Sequence, residues 1–408
     1  MKQLLYLTKE EERILSGEAG EVFKKAMEIL VALGEIYQAD KLIPIQSAQI
    51  AGVSYKNIGD AGLEFLEEFA QKNAKAKVYS TLNPAGMDLI DWIELKIPKN
   101  FAENQLRIIK AYEKIGINLT CTCTPYLIGS FPKLNDSIAW SESSAVTFAN
   151  SVLGARTNRE GGPSALAAAI IGETPNYGYH LLENRKGTKI IEISEKIEPE
   201  QSLLSAIGYL TGEVYPNEVP IFLGLKGLNW DHHKALGAAL ATSGSIALYH
   251  IPMETPEIKL DQEIFAGKKL EKISLNKSEI NKVYEKLTTS KPKEVDLVAL
   301  GCPHCSVEEL NYIATQLKGK HVKTRLWICT SRAIKEKAKH AVEVIESAGG
   351  RVLCDTCMIV SPIEDLGIKS IVTNSAKATH YAPSLCKVDT AFMSTLACIE
   401  IALSGVFK

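Results

Sequence analysis

Residues 295–305 read VDLVALGCPHC. An apolar run closed by a glycine is the pattern of a strand buried on both faces, and this one delivers Cys302 and Cys305 at its carboxyl end. The pattern recurs: TRLWI (324–328) runs into Cys329, GGRVL (349–353) into Cys354 and Cys357, and IKSIVT (368–373) into Asn374, Ser375 and Lys377. Helical stretches lie between, such as 331–350, with Ile334, Ala338, Ala341, Val342 and Ile345 on one face and Gly349-Gly350 as a stop. Strand–helix alternation predicts an α/β architecture. Open α/β sheets bind ligands beyond the carboxyl ends of their strands, so thiols placed there point to a metal or cluster used in chemistry.

The N-terminal half alternates in the same way. Thr8 with Glu11 forms a capping box for a first helix, and a second spans about Glu18 to Gln38. KLIPI is a short strand followed by a loop from Ser47 to Tyr55, AKVYSTLNPAGMD a strand ending at Asn83-Pro84, and INLTCTCTPYL a strand running into Cys121 and Cys123. Ser141 to Leu153 reads as a helix. In the middle, VPIFLGL and SIALYHI read as strands, and the Lys- and Glu-rich stretch from about Leu260 to Lys293 as a surface connection. The last helix, TAFMSTLACIEIALSG, is apolar nearly all round and reads as buried. These features divide the chain into an α/β region over 1–200, a middle α/β region over 201–292 and a βαβ domain over 293–408.

Composition narrows the function. The chain has 408 residues, 46% hydrophobic and 23% charged, with a formal net charge of -2. That balance gives no electrostatic footprint for nucleic acid or anionic membrane. No apolar stretch reaches the roughly 18 to 20 residues of a bilayer span, and the N-terminus lacks the pattern of a secretory signal. A cytoplasmic location is expected, where the nine cysteines stay reduced. No phosphate-loop or dinucleotide fingerprint is present.

Two CxxC pairs invite a zinc ribbon, whose pairs lie about 15 to 20 residues apart. Here about 50 residues and two strand–helix units intervene. A thioredoxin-like pair is a second reading of Cys302-Pro303-His304-Cys305, but it leaves the other loop thiols unexplained. Cys329, Cys386 and Cys398 read as small buried hydrophobes. The remaining six occupy three polar loops in pairs. One thiolate from each loop would hold an iron–sulfur cluster with one iron open as a Lewis acid. A metal-bearing or redox α/β protein without catalysis is the rival reading.

Donors for an anionic substrate stand at other strand ends. Gly52-Val53-Ser54 offers backbone that can approach an anion, although the same residues suit an ordinary turn. Asn83-Pro84 alone is a turn signal. Glu142 and Ser143 open a helix, where N–H groups hold anions and where an N-cap is the commoner role. Lys377 adds a point charge. Arg156 and Arg159 beside Gly161-Gly162 suit either anions or an interface. His304 lies inside a cysteine loop, where it could orient the ligands. His232 and His233 read as a surface helix start.

At these residues the sequence resembles the aconitase X family of the aconitase superfamily of hydro-lyases. The blocks SAQIAGVSYKNIGDAG (47–62), TLNPAGMD (81–88), CTCTPYL (121–127), WSESSAVTFANSVLGARTNREGGPSAL (140–166), GCPHCS (301–306), CDTCMIV (354–360) and TNSAKATHY (373–381) carry the resemblance. It implies an aconitase-like large subunit of layered α/β/α domains, with the active site at strand carboxyl ends and between domains. It also implies one ligand per loop, assigned as Cys123, Cys302 and Cys357, with Cys121, Cys305 and Cys354 as alternates. The cofactor implied is a [4Fe-4S] cluster, with a [2Fe-2S] cluster or a mononuclear iron as alternatives within the family.

Gly52, Val53, Ser54, Asn83, Pro84, Glu142, Ser143 and Lys377 would contact substrate. The longest members carry a fused swivelling domain. This sequence ends at Lys408 without one, so a separate small subunit carrying the serine base is expected. Archaeal two-chain members dehydrate (R)-5-phosphomevalonate to trans-anhydromevalonate 5-phosphate in a mevalonate (isoprenoid) pathway. Bacterial relatives dehydrate cis-3-hydroxy-L-proline.

Overall fold

Among the described residues short strands alternate with longer helices, and the strands collect into four sheets. The structure is a computed structural model that describes residues 5–257, 270–290 and 294–407. The first unit carries β1 (Leu42–Pro44), β2 (Ser47–Ile50), β3 (Tyr79–Leu82), β4 (Ala139–Trp140) and β5 (Glu173–Pro175). A parallel sheet runs β3–β2–β4, and β1 pairs antiparallel with β5. Helices Glu21–Ile36, Tyr55–Gln71, Lys99–Ile115 and Gly162–Ile171 cover it around a core that includes Met27, Leu30, Phe69 and Ile108.

Two expectations fail here for one reason: polar side chains do the work of backbone. The loop expected from Ser47 is half strand. Buried Gln49 donates to the Thr122 carbonyl at 3.2 Å, and Ser47 Oγ accepts from Trp140 Nε1 at 3.2 Å. Conversely, INLTCTCTPYL is not a strand and makes one bridge, Asn118 to Thr81. Thr120 Oγ1 takes the Leu82 N–H at 3.0 Å in place of a ladder carbonyl, and Cys121 turns into the left-handed region at φ 42°. The segment leaves the sheet as a loop. The helix expected over 141–153 starts at Ser143 and passes into a π-helical stretch from Ala149.

The middle unit holds β6 (Lys189–Ile193), β7 (Pro220–Leu223) and β8 (Glu271–Leu275), parallel in the order β7–β6–β8. β6 precedes the boundary expected at residue 200 yet pairs with β7 and β8, so we place the division before Lys189. SIALYHI is not a strand but an irregular stretch bridged once, His250 to Ile221. The stretch expected to be a surface connection contains β8 and the helix Lys277–Leu287, which buries Ile280, Val283 and Leu287. Its residues 260–269 and 291–293 lie outside the described residues.

The last unit contains β9 (Leu297–Leu300), β10 (Arg325–Thr330), β11 (Arg351–Cys354), β12 (Ser370–Thr373) and β13 (Asp389–Phe392), all parallel in the order β11–β10–β9–β12–β13. The helix after β10 divides at Ala338. The expected terminal helix loses its first residues to β13, starts at Thr395 behind the N-cap Ser394, and buries one face, with Leu396 45% exposed. No helix among the described residues is long and apolar enough to cross a membrane.

This strand order reverses direction between β9 and β12, the topological switch point at which open α/β sheets bind ligands. Cys302 follows β9, and Lys377 follows β12.

Candidate metal centre

Gly301 ends β9 at φ 92°, where an added Cβ would stand 2.1 Å from the Cys329 carbonyl oxygen. Only glycine lets the chain turn over β10 so closely, and the turn presents Cys302 at the switch point. Cys357 arrives from the loop after β11, and Cys123 from the loop after the helix Lys99–Ile115, which bridges β3 once before turning away. The three thiols share one charge environment: each responds to both Glu142 and Lys377, and Cys357 acts on both of the others. The other member of each pair lies among different charged side chains, although Cys305 also interacts with Cys123. Cys121 packs in the first unit's core near Asp355, Cys305 lies in the last unit's core beside Lys234 and Glu309, and Cys354 neighbours Asp355 and Asp88. Cys329, Cys386 and Cys398 are buried in the cores.

At the centre, Lys377 Nζ binds Glu142 Oε1 and lies 3.4 Å from Ser143 Oγ. Asn83 Nδ2 donates to Glu142 Oε2 at 2.7 Å, and Ser144 donates to Oε1 from Oγ at 3.1 Å and from N at 3.4 Å. Burial alone would push Glu142 up. Lys377 and these hydrogen bonds outweigh it and hold the carboxyl down at about 2. Burial lowers Lys377, but Glu142 and the thiols win and raise it. Burial pushes Cys302 up to about 12 and raises Cys123 and Cys357 as well. Metal binding here would therefore displace thiol protons.

His304 is fully buried between the three loops. Its N–H lies 3.2 Å from Cys123 Sγ, its Nδ1 3.0 Å from Thr122 Oγ1, and its Nε2 2.9 Å from the Thr356 carbonyl oxygen. A carbonyl can only accept, so Nε2 carries the proton. Burial pushes the imidazole down to about 4, which leaves Nδ1 to accept from Thr122.

The remaining expected contacts divide. Asn83 belongs to the centre, and its Oδ1 is buried without a partner. Pro84 follows it into a turn pinned to the Cys357 loop by the Ala85 N–H, 2.6 Å from the Asp355 oxygen. Gly52 has φ 77°, the Val53 carbonyl accepts from Gln105 at 2.9 Å, and Ser54 Oγ donates to the Val360 carbonyl at 2.8 Å. That segment therefore abuts the Cys357 loop with its hydroxyl engaged. Arg156 is taken up by Asn135 and the His180 carbonyl, and Arg159 faces solvent. His233 is not at the surface: it is buried against Tyr249 at 2.8 Å.

Three features carried no sequence signal. Buried Lys234 binds Asp231 at 2.9 Å, the His304 carbonyl at 3.1 Å, and Glu309. Arg332 clamps Asp88 at 2.6 Å and also binds Asp355, joining the loop after β3 to the loop after β11. A cavity of about 490 Å³ lies beside the centre, lined by Gln201, Asp231, Glu308, Glu309 and Asn374 among others, with no Lys or Arg. It is too acidic to suit a phosphate.

The multidomain α/β scaffold gathers buried thiols, an ion pair and an amide oxygen without a partner near one switch point. Aconitase X family models match residues 4–183 as the first domain, 187–285 as the second and 295–404 as the third. The chain belongs to the aconitase X family. It is 56% identical over 396 residues to the phosphomevalonate dehydratase large subunit of Methanocaldococcus jannaschii, covering 95% of this chain and 98% of that protein. It is 33% identical to the cis-3-hydroxy-L-proline dehydratase of Pseudomonas aeruginosa, covering 97% of this chain and 69% of that one. The crystal structure of Thermococcus kodakaraensis aconitase X in its holo-form is similar at TM-score 0.89 and 48% identity, covering 97% of this chain and all of that one.

Proposed function

We propose that this chain is the iron-bearing large subunit of a hydro-lyase that dehydrates (R)-5-phosphomevalonate to trans-anhydromevalonate 5-phosphate in a mevalonate pathway. The observation that carries this reading is the 56% identity to the archaeal phosphomevalonate dehydratase subunit over 98% of its length. The proline dehydratase is more distant, and this chain spans 69% of it.

The donor set supports a resident iron–sulfur cluster. Cys123, Cys302 and Cys357 are soft ligands grouped about one charge pair. Among the described residues no three His, Cys, Asp or Glu side chains converge closely enough to hold a single ion. We assign [4Fe-4S] because three ligands leave one iron open. When bound, it supplies a Lewis acid for the departing hydroxyl.

The chain's own residues bind and orient. Lys377 places a positive charge beside the thiols, where an anionic substrate can share it with Glu142. Asn83 Oδ1 is free to accept from a substrate hydroxyl, and Gly52-Val53-Ser54, Pro84 and Ser143 complete the wall. Glu142, held at about 2, is too weak a base for a proton next to a carboxylate. That supports a base supplied by another chain, which we assign to a serine of a small swivelling subunit. Nine free cysteines fit a reducing cytoplasm.

The test is anaerobic reconstitution of this chain with its small partner, followed by assay on 5-phosphomevalonate and cis-3-hydroxyproline side by side. Turnover of the phosphorylated substrate, and only with both chains, is expected. Preference for the proline overturns the substrate, and turnover by this chain alone overturns the placement of the base.

A further inference from the structure

We propose that His304 is the positioning residue of the thiol centre: its ring and its main-chain N–H fix the three cysteine loops against one another. This rests on the iron-binding reading above.

The three loops have little else in common. The Cys302 and Cys357 loops follow β9 and β11, which are not neighbours in the last sheet, and the Cys123 loop follows the helix Lys99–Ile115 of the first unit. His304 reaches Cys123 and Thr122 across 181 and 182 residues of sequence, and Thr356 across 52. Each of its four polar groups has its own partner. The N–H meets Cys123 Sγ, the carbonyl receives Lys234 Nζ from the middle unit, Nδ1 meets Thr122, and Nε2–H meets the Thr356 carbonyl beside Cys357.

No water is needed to satisfy the imidazole, which is fully buried. A fully satisfied buried network of this kind rigidifies what it joins. Thr122 and Thr356 each immediately precede a candidate ligand, so a shift of the ring moves Cys123 and Cys357 directly. Groups that orient ligands from behind commonly cost about 10- to 100-fold in metal affinity when removed.

The experiment compares iron-loaded wild type, H304L, H304Q and T122V, all prepared anaerobically. Iron release to a chelator, the electron paramagnetic resonance spectrum of the reduced centre, and the melting temperature of each iron-free chain are measured. Leu fills the space without hydrogen bonds; Gln can supply one donor and one acceptor. We expect H304L to release iron about 10- to 100-fold faster with an altered spectrum, H304Q to recover part of both, and T122V to fall between wild type and H304L.

Unchanged release and spectrum in H304L overturn the inference while leaving the functional reading intact. If H304L does not fold, T122V decides in the same way, because it removes one arm and keeps the ring. A wild-type chain that takes up no iron overturns the functional reading, and this inference with it.

Discussion

Replacing Lys377 with Met removes the charge that keeps Glu142 ionised inside the protein. Holding that carboxyl at about 2 against an ordinary 4.5 corresponds to about 3 kcal/mol at neutral pH. Breaking a buried pair from one side costs about 3 to 5 kcal/mol by general experience, so the two routes agree. The chain's 408 residues imply an unfolding entropy of about 0.9 kcal/mol/K, so a loss of that size lowers the melting temperature by about 4 °C. Thermal midpoints of four iron-free chains test it: wild type, K377M, E142Q and K377M/E142Q.

Each single variant should melt lower, and the double variant should recover most of the loss, because it leaves no uncompensated charge. The pH dependence has a definite sign. A depressed carboxyl contributes stability above its unfolded value, which is lost only as the pH falls from about 4.5 toward 2. In K377M burial is opposed only by the hydrogen bonds, so the carboxyl moves up and that variant loses stability as the pH rises through the new value. The gap to wild type should therefore widen from acid to neutral pH. Additive single effects, to within about 0.5 kcal/mol, would refute the coupling, and a gap that narrows toward neutral pH would refute the sign.

Two further outcomes follow from the site. Cys123→Ser, Cys302→Ser and Cys357→Ser should each abolish retention of iron and the absorption near about 400 nm expected of iron–sulfur centres. Cys121→Ser, Cys305→Ser and Cys354→Ser should keep both; loss of iron confined to this second set would reverse the assignment within the pairs. Burial, opposed by Lys234 and helped by Asp231, pushes Glu309 up to about 7. Its stabilising contribution is complete below the unfolded value and lost as the pH rises through about 7. E309Q should therefore flatten the fall in melting temperature between about pH 5 and 8, and curves that stay parallel to wild type would remove Glu309 as its source.

What the sequence showed and what it concealed divide along physical lines. β9, β10, β11 and β12 were legible because a parallel strand covered on both faces must be nearly continuous in apolar residues. β2 and β13 were not: Gln49 and Thr390 are buried polar residues inside their strands, donating to the Thr122 and Leu287 carbonyls that only the fold supplies. The three cysteine loops were legible as pairs of thiols after strands. Which thiols share the charges of Glu142 and Lys377 was not: the chain turns through the left-handed region at Cys121 (φ 42°), Gly301 (φ 92°) and Asp355 (φ 61°), and no side-chain pattern reports those angles.

Lys234 was the least legible residue of all. A lysine in a helix sequence reads as a solvated face, and its burial is made tolerable by Asp231 together with Glu309 and the His304 carbonyl, the last two 75 and 70 residues away. Lys377 and Glu142 satisfy each other in the absence of substrate, while Asn83 Oδ1 remains buried and unpaired. A buried acceptor left unpaired costs about 1 to 3 kcal/mol, a cost relieved if a hydroxyl donor arrives. The centre is therefore closed in charge but open in hydrogen bonding, which suits a substrate that brings a hydroxyl to be lost.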